Sequence, residues 1–355
     1  MDSFPDRNPS LCPLDRDTSI VPLVAIVTPV YNGASYLAET MACVQAQSYP
    51  NLIHIVLDNA STDATPEIIN RFSGGRVPVV TRRNPETIPL RDNWETAVRM
   101  TPREADYFLV LCADDLISED AIEKLVGVAE SDPAIGVVGC LWTMGTDPHG
   151  VTEPCGKGLP NDRSIFDGRW FVKAYLIKFH YATSPQCQLF RRQLLEEANP
   201  FYANEEMLMD IDVCLRALIH WKYGFVHGEL GFTRVHGGRV TAKDTAPTQA
   251  FIANWLAFIN RYGPSVMPPP DLDKCRRAFL RAYFRRLLLW RFRDRDRGLF
   301  ESHLAILNAQ GIHPSASDYA GALLDWMWLV ARNRRDQVGA VSSLWPSTRA
   351  ELMRT

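Results

Sequence analysis

Several common sources of structure and chemistry are missing from this sequence. Its eight cysteines stand singly, with no C-x-x-C pair and no zinc-ligand spacing. That excludes a zinc-finger scaffold and a dithiol redox motif. Cys43, Cys140 and Cys214 lie in apolar surroundings and read as small core residues, a usage that fits a reducing compartment. Charge of one sign is also lacking: the net charge is −3 over 355 residues, which argues against a global nucleic-acid binder. No apolar run reaches the ~20 residues of a membrane-spanning helix. The first residues are acidic and proline-rich, unlike a secretory signal. The first apolar strand is followed by Pro29-Val30-Tyr31-Asn32-Gly33, not by the glycine-rich phosphate loop with a nearby Lys or Arg that a nucleotide-sugar pyrophosphorylase would carry. The expected location is cytoplasmic.

What remains is globular. A chain with 46% hydrophobic and 22% charged residues can bury a sizeable core. From Val24 runs an apolar, β-branched stretch of strand length that stops at Pro29 and Asn32-Gly33. Ser35 to Gln47 carries Leu37, Met41 and Val44 at helical spacing. Leu52 to Leu57 is a second apolar strand that stops at Asp58-Asn59-Ala60-Ser61-Thr62-Asp63. Strand, helix and strand at this spacing form a βαβ unit with parallel strands. Further strands are expected at Val77–Thr81, Tyr107–Leu111 and Ile135–Leu141. Helices are expected at Thr65–Phe72, at Asp92–Met100 with Asp92 and Glu95 as a capping box, and from Ser118 to about Glu130. The pattern predicts an α/β fold with a mostly parallel sheet. Downstream come a Gly/Pro/Asp-rich loop over 145–165, a helix at Phe171–Phe179, a strand at Gln186–Phe190, a helix at Arg192–Ala198, an apolar helix at Met207–Leu218 holding Asp210 and Asp212, and a polar stretch from Gly231 to Thr241. From Thr248 onward only helical signals are found. The expected division is a disordered leader over 1–20, a catalytic domain over 21–245 and a helical C-terminal region over 246–355.

In open α/β sheets ligands bind at the carboxyl ends of the strands, and the acidic clusters fall there. Asp114 and Asp115 close the fourth strand and offer hard oxygen ligands suited to Mg²⁺ or Mn²⁺. A carboxylate beside a nucleoside diphosphate makes sense only with a cation between them.

Pro29-Val30-Tyr31-Asn32, Asp58 to Asp63, Ala113-Asp114-Asp115 and Asp210-Ile211-Asp212, in this order, resemble the inverting glycosyltransferases of family 2, which have the GT-A fold. The resemblance covers roughly residues 22–241. It implies a UDP-, dTDP- or GDP-linked sugar donor, a Mn²⁺ or Mg²⁺ cofactor and a glycan or lipid-linked acceptor. It assigns Pro29, Tyr31, Asp58, Arg83 and Asp114 to the donor nucleotide, and Asp115 and His236 to metal, although which of Asp114 and Asp115 touches the ion stays open. Asp210 is the implied base, supported by Asp212 and Arg216, which stand four apart on one helical face. Two positions depart from the family pattern: Cys112 and Met209 each stand where an acidic residue is usual. Asp63 reads as a loop or cap residue and Trp94 as core.

Arginines are dense from Lys274 to Arg297, with Phe279, Tyr283, Leu287 and Trp290 at helical spacing between them. That is an amphipathic basic helix. It is expected either to pack on its own protein or to make peripheral contact with an anionic membrane at the inner face.

Overall fold

The computed structural model describes residues 21–178, 185–203, 208–239 and 246–332. The expected leader, 1–20, and the residues Phe179, Met207 and Thr241 that bounded expected elements lie outside the described residues. The chain forms two units: Met1–Phe171 with His180–Glu205 and Met209–His236, and Val172–Phe179 with Glu206–Leu208 and Gly237–Thr355.

Up to His236 the elements are β1 (Val24–Val30), α1 (Leu37–Gln45), β2 (Leu52–Asp58), α2 (Thr65–Arg71), β3 (Val79–Arg83), α3 (Leu90–Arg99), β4 (Tyr107–Val110), β5 (Leu116–Ile117), α4 (Ala121–Glu130), β6 (Ile135–Gly145), β7 (Glu153–Cys155), β8 (Ile165–Phe166), α5 (Gly168–Lys178), β9 (Gln188–Arg191), α6 (Gln193–Glu197), α7 (Met209–Leu218) and β10 (Lys222–Arg234). The sheet runs β3-β2-β1-β4-β9-β6-β10-β5, with β7 on β6 and β8 on β10. β3, β2, β1 and β4 are parallel, with Val30 opposite Asp58 and Asp58 opposite Arg83. All of β1 is buried, as a strand covered on both faces must be. Pro29 is tolerated inside it because β4 ends at Val110, opposite Val27, so the ladder on that side stops before a proline would break it.

The sheet is mostly parallel, as expected, with two features that the sequence pattern did not reveal. β9 enters antiparallel between β4 and β6. β10, read from sequence only as a polar stretch from Gly231, begins at Lys222 and pairs parallel with β6 and antiparallel with β5. Its glycines obscured it. Gly231 admits Cys187, whose Sγ lies 2.6 Å from where a Cβ would stand. On β6, a Cβ at Gly139 would fall 1.9 Å from the Tyr223 hydroxyl.

Helix starts differ as well. α3 begins at Leu90 after Pro89, and proline's fixed φ favours such a boundary. Asp92 then lies in the first turn, beside Arg91 at 2.6 Å. Glu95 closes no capping box; its carboxylate instead accepts from the backbone N–H groups of Phe201 and Tyr202, at 3.1 and 2.9 Å. Ser118 is not the cap of α4, which starts at Ala121; its hydroxyl donates to Asp120, the N-cap residue. β3 runs to Arg83, so Arg82 and Arg83 belong to a strand and not to the following loop. Part of the 145–165 segment forms β7.

The second unit is helical: α8 (Ala246–Thr248), α9 (Ala250–Val266), α10 (Pro269–Leu288), a π-helical turn over Leu289–Arg293, α11 (Arg297–Ala309) and α12 (Ala316–Ala331). The expected basic helix is therefore broken before Arg297. Tyr283, Leu287 and Trp290 are buried. The Tyr283 hydroxyl meets His303 Nδ1 at 2.6 Å, and the Trp290 ring stacks 4.6 Å from His303. Arg285 forms a buried ion pair with Asp325, and Arg286 meets Asp294 at 3.5 Å. The apolar half of the expected membrane surface is thus packed inside this unit. Among the described residues no helix is long and apolar enough to cross a membrane.

Candidate active site

The ends of β1, β2, β3 and β4 carry four loops to one edge of the sheet. The first two are laced together. Asn32, at φ 49°, donates its backbone N–H to Ser61 Oγ at 2.9 Å, and its side-chain oxygen accepts from Thr62 N at 2.8 Å. Gly33 N donates to Thr65 Oγ1 at 2.9 Å and Ala34 N to Asp63 Oδ2 at 3.0 Å. Asp63 is the structural residue it was expected to be. Partial desolvation, which alone would raise its pKa, is outweighed by hydrogen bonds from Thr65 and Ala34, so the carboxyl sits below its ordinary value. Ala60 occupies the left-handed region at φ 57°, a conformation that costs a residue with a Cβ about 1–2 kcal/mol. It is held there because Asp58 Oδ1 accepts from Ser61 N at 2.9 Å.

Asp58 is buried, and its second oxygen pairs with Arg83 Nη1; Arg83 Nη2 also donates to Ser61 O at 2.8 Å. Two of the residues assigned to the donor nucleotide are therefore already partners. Arg83 is half-exposed at 48%, and each carboxylate oxygen keeps a further lone pair for a ligand N–H. Tyr31 stands beyond the end of β1, 52% exposed, while Pro29 is buried inside the strand. Behind these loops lies an amide network the sequence did not reveal. Asn84 Nδ2 donates to Asn59 Oδ1 at 2.9 Å and to Asn93 Oδ1 at 3.0 Å. All three asparagines are buried, and a satisfied buried network of this kind fixes loop geometry. Trp94 packs edge-on against Tyr202, centroids 5.7 Å apart.

The acidic turn follows β4. Asp115 N donates to Cys112 O at 3.2 Å, curling the chain so that the ligand atoms of Cys112, Asp114 and Asp115 lie within 4.8 Å of one another. Asp115 is 2% exposed, and its Oδ1 accepts from Arg234 N at 3.0 Å. Its carbonyl accepts from Thr40 Oγ1 at 3.0 Å. Asp114 Oδ2 meets His236 Nε2 at 2.9 Å. His236 is thus brought to the acidic turn, as a partner of Asp114. Sequence reasoning gave no role to Arg234, Glu39 or Tyr36. The buried Arg234 guanidinium donates to Glu39 Oε2 at 2.6 Å and to Asp114 O at 3.2 Å, and lies 4.8 Å over the Tyr36 ring. The Tyr36 and His236 rings are 4.7 Å apart. Nothing local in the sequence links Glu39 to Arg234; only the fold joins α1 to the end of β10.

Asp210 is the second residue of α7. Burial raises its pKa from 3.8 to about 6, opposed in part by backbone N–H groups at the helix start. Asp212 and Arg216 are buried, and Arg216 donates to the carbonyl of Phe201. Tyr202 connects the two acidic centres. Its buried phenol is held protonated first by burial, then by the negative charges of Asp210, Cys112 and Glu95. The candidate base and the acidic turn therefore share one electrostatic neighbourhood, as the spacing of their motifs in sequence could not have shown.

A sheet of this order, with an acidic turn after its fourth strand and a second acidic helix start beside it, defines a GT-A-like nucleotide-sugar transferase fold. The comparisons narrow this to a family. The model of glycosyl transferase family 2 matches residues 25–197. The "Uncharacterized glycosyltransferase RT0329" of Rickettsia typhi is 47% identical over 260 residues, 69% of this chain and 74% of its own length. The chain belongs to glycosyl transferase family 2. It spans about two fifths of the length of other curated relatives it matches. Among solved structures, S. aureus TarS in complex with UDP-GlcNAc aligns at TM-score 0.57 and 14% identity over 90% of each chain. The mannosyltransferase PcManGT from Pyrobaculum calidifontis, in complex with GDP-Man and Mn²⁺, aligns at TM-score 0.53 and 17% identity over 94% of this chain and 86% of its own. At these identities the two structures speak for the fold alone.

Proposed function

We propose that the protein transfers a sugar from a nucleoside-diphosphate sugar to an acceptor hydroxyl with inversion, and that Asp210 is the general base. The observation that carries this reading is the acidic turn after β4, where the ligand atoms of Asp114 and Asp115 lie close together in a chain of glycosyl transferase family 2. An aspartate with a pKa near 6 is ionised at neutral pH yet basic enough to take a proton from an attacking hydroxyl. Inversion needs a base on the acceptor side and no covalent enzyme intermediate. Burial of Asp212 and Arg216 anchors α7, so that Asp210 keeps its position at the helix start.

At the other end of the donor, Asp58 and Arg83 would hold the nucleotide: the carboxylate accepts a base N–H while the half-exposed guanidinium turns toward base or diphosphate. Tyr31 offers a ring face for stacking. The oxygen donors of Asp114 and Asp115, close together at a strand end, fit a divalent cation. Mn²⁺ or Mg²⁺ held there would offset charge on the departing diphosphate. His236, implied with Asp115 as a ligand of the ion, stands at this turn, its Nε2 2.9 Å from Asp114 Oδ2. We take the donor to be a UDP-, dTDP- or GDP-linked sugar; the fold neighbours TarS and PcManGT are in complex with UDP-GlcNAc and with GDP-Man and Mn²⁺. The acceptor is a glycan or lipid-linked sugar.

The test is Asp210→Asn, which keeps size and loses basicity. General-base catalysis is worth about 10²–10⁴-fold, so kcat should fall by that order with donor affinity little changed, and wild-type product should carry the inverted anomeric proton coupling by NMR. Normal turnover at saturating substrate would refute the base.

A further inference from the structure

The acidic turn contains one donor that is not an oxygen. Cys112 is the second residue beyond the last paired residue of β4, and Leu111 N still donates to Val27 O at 2.9 Å, so the strand fixes where the turn begins. The Cys112 carbonyl then accepts from Asp115 N at 3.2 Å. This closure swings the side chains of residues 112, 114 and 115 to one place, with the thiol sulfur and the two carboxylates within 4.8 Å of one another. Two donors on opposite sides of one ion stand about 4.4 Å apart, the sum of a metal–sulfur bond of ~2.3 Å and a metal–oxygen bond of ~2.1 Å. The cluster is therefore of a size to surround a single cation. It is the only such grouping of His, Cys, Asp and Glu among the described residues. Four other cysteines, Cys140, Cys187, Cys214 and Cys275, are buried, whereas Cys112 is half-buried.

We propose that Cys112 is a third ligand of the cation, binding as a thiolate, so that the site has a mixed sulfur–oxygen shell. This rests on the reading of Asp114 and Asp115 as the cation site. A thiolate is soft, and the Mg²⁺ ion is hard and prefers an all-oxygen octahedron. Replacing the acidic residue usual at this position by cysteine turns selectivity away from Mg²⁺, toward Mn²⁺ and further toward Zn²⁺, Cd²⁺ and Co²⁺. The thiol proton leaves to solvent on binding, so affinity for soft ions rises with pH. Two residues set the balance: Asp115, held by the Arg234 backbone N–H, stays a fixed oxygen donor, and Cys112 chooses the ion.

The test uses Co²⁺ and Cd²⁺ as probes on the full chain, with and without a nucleoside diphosphate. Wild-type protein titrated with Co²⁺ should develop a near-ultraviolet sulfur-to-cobalt charge-transfer band. Cys112→Ser should abolish the band and lower Cd²⁺ affinity by about 10–100-fold, the range that loss of support around a metal typically costs, while Mg²⁺ affinity is unchanged. Cys112→Asp should reverse the order, raising Mg²⁺ affinity and lowering that for Cd²⁺. The remaining cysteines are present in both variants, so any background they add cancels. If Co²⁺ binds, Asp115→Asn or Asp114→Asn removes that binding, and wild type still shows no sulfur band, the thiolate ligand is refuted and the carboxylate site stands. If no Co²⁺ binding depends on Asp114 or Asp115, the cation site itself fails and the thiolate with it.

Discussion

Replacing Asp210 by asparagine should make the folded protein more stable while it removes activity. Burial raises the carboxyl from 3.8 to about 6, and one pKa unit is worth about 1.4 kcal/mol. The native state therefore carries a cost of about 3 kcal/mol when Asp210 is ionised. The sign follows from proton counts. Between roughly pH 3.8 and 6 the folded state holds more protons than the unfolded one, so stability from this group is full below about 3.8 and is lost as pH rises through about 6. Asparagine cannot ionise and escapes that loss. The assay is urea denaturation of metal-free wild type and Asp210→Asn at about pH 8 and about pH 4. The variant should lead by up to about 3 kcal/mol at the higher pH, and the gap should nearly close at the lower. Activity should show the complementary limb: kcat/KM of wild type falls as pH drops below about 6, tenfold per unit. A variant less stable than wild type by the same amount at both pH values would refute desolvation of this carboxylate, and with it the physical basis for its basicity.

Three further outcomes are expected. Asp115→Asn should weaken Mn²⁺-dependent donor binding, measured by calorimetry with nucleoside diphosphate, without lowering Tm by more than a few degrees; unchanged metal dependence would refute the cation site. His54 is fully buried, its Nε2 3.0 Å from Thr28 Oγ1, and burial lowers its pKa from 6.5 to about 3; the folded state therefore binds fewer protons in that window, and stability from this group should fall by up to about 5 kcal/mol as pH drops from about 6.5 to 3, a slope that urea midpoints of His54→Leu should lack. Asp325→Ala removes the carboxylate paired with the buried Arg285 guanidinium and should cost about 3–5 kcal/mol; a loss under about 1 kcal/mol in chemical denaturation would refute a buried pair that depends on Asp325.

Much of the first unit was legible because its strands are continuous apolar runs that end abruptly in polar residues. β1 and β2 appear at the apolar runs that begin at Val24 and Leu52, and the polar clusters that end them meet at one sheet edge. Elements set by long-range contact were harder to read. β10 carries Gly224, Gly228 and Gly231, which lower strand propensity, yet Gly231 is there because Cys187 fills its Cβ space. The antiparallel insertion of β9 leaves no local mark, since four residues pair equally well in either direction. The C-terminal basic pattern was real as a helix, but charge density could not show that Arg285 would be buried against Asp325, forty residues later.

The candidate site divides the same way. Motifs placed Asp58, Asp114, Asp115 and Asp210 because a carboxylate at a strand or helix end is a local feature. The groups that hold them are remote in sequence: Arg83 on Asp58, Arg234 on Asp115, His236 on Asp114, and Tyr202 between Asp210 and Cys112. The two departures from the family pattern then differ in kind. Met209 replaces an acidic residue at a buried position in the first turn of α7, where a second carboxylate would add like charge beside Asp210 and raise its pKa further. Methionine there adds no further charge to a turn that already holds Asp210 and Asp212. Cys112 replaces an acidic residue at a half-buried position in the turn that brings it within 4.8 Å of the Asp114 and Asp115 oxygens, where the substitute still offers a ligand atom. One departure removes a charge beside the proposed base, and the other changes the donor chemistry of the proposed cation site while keeping a donor.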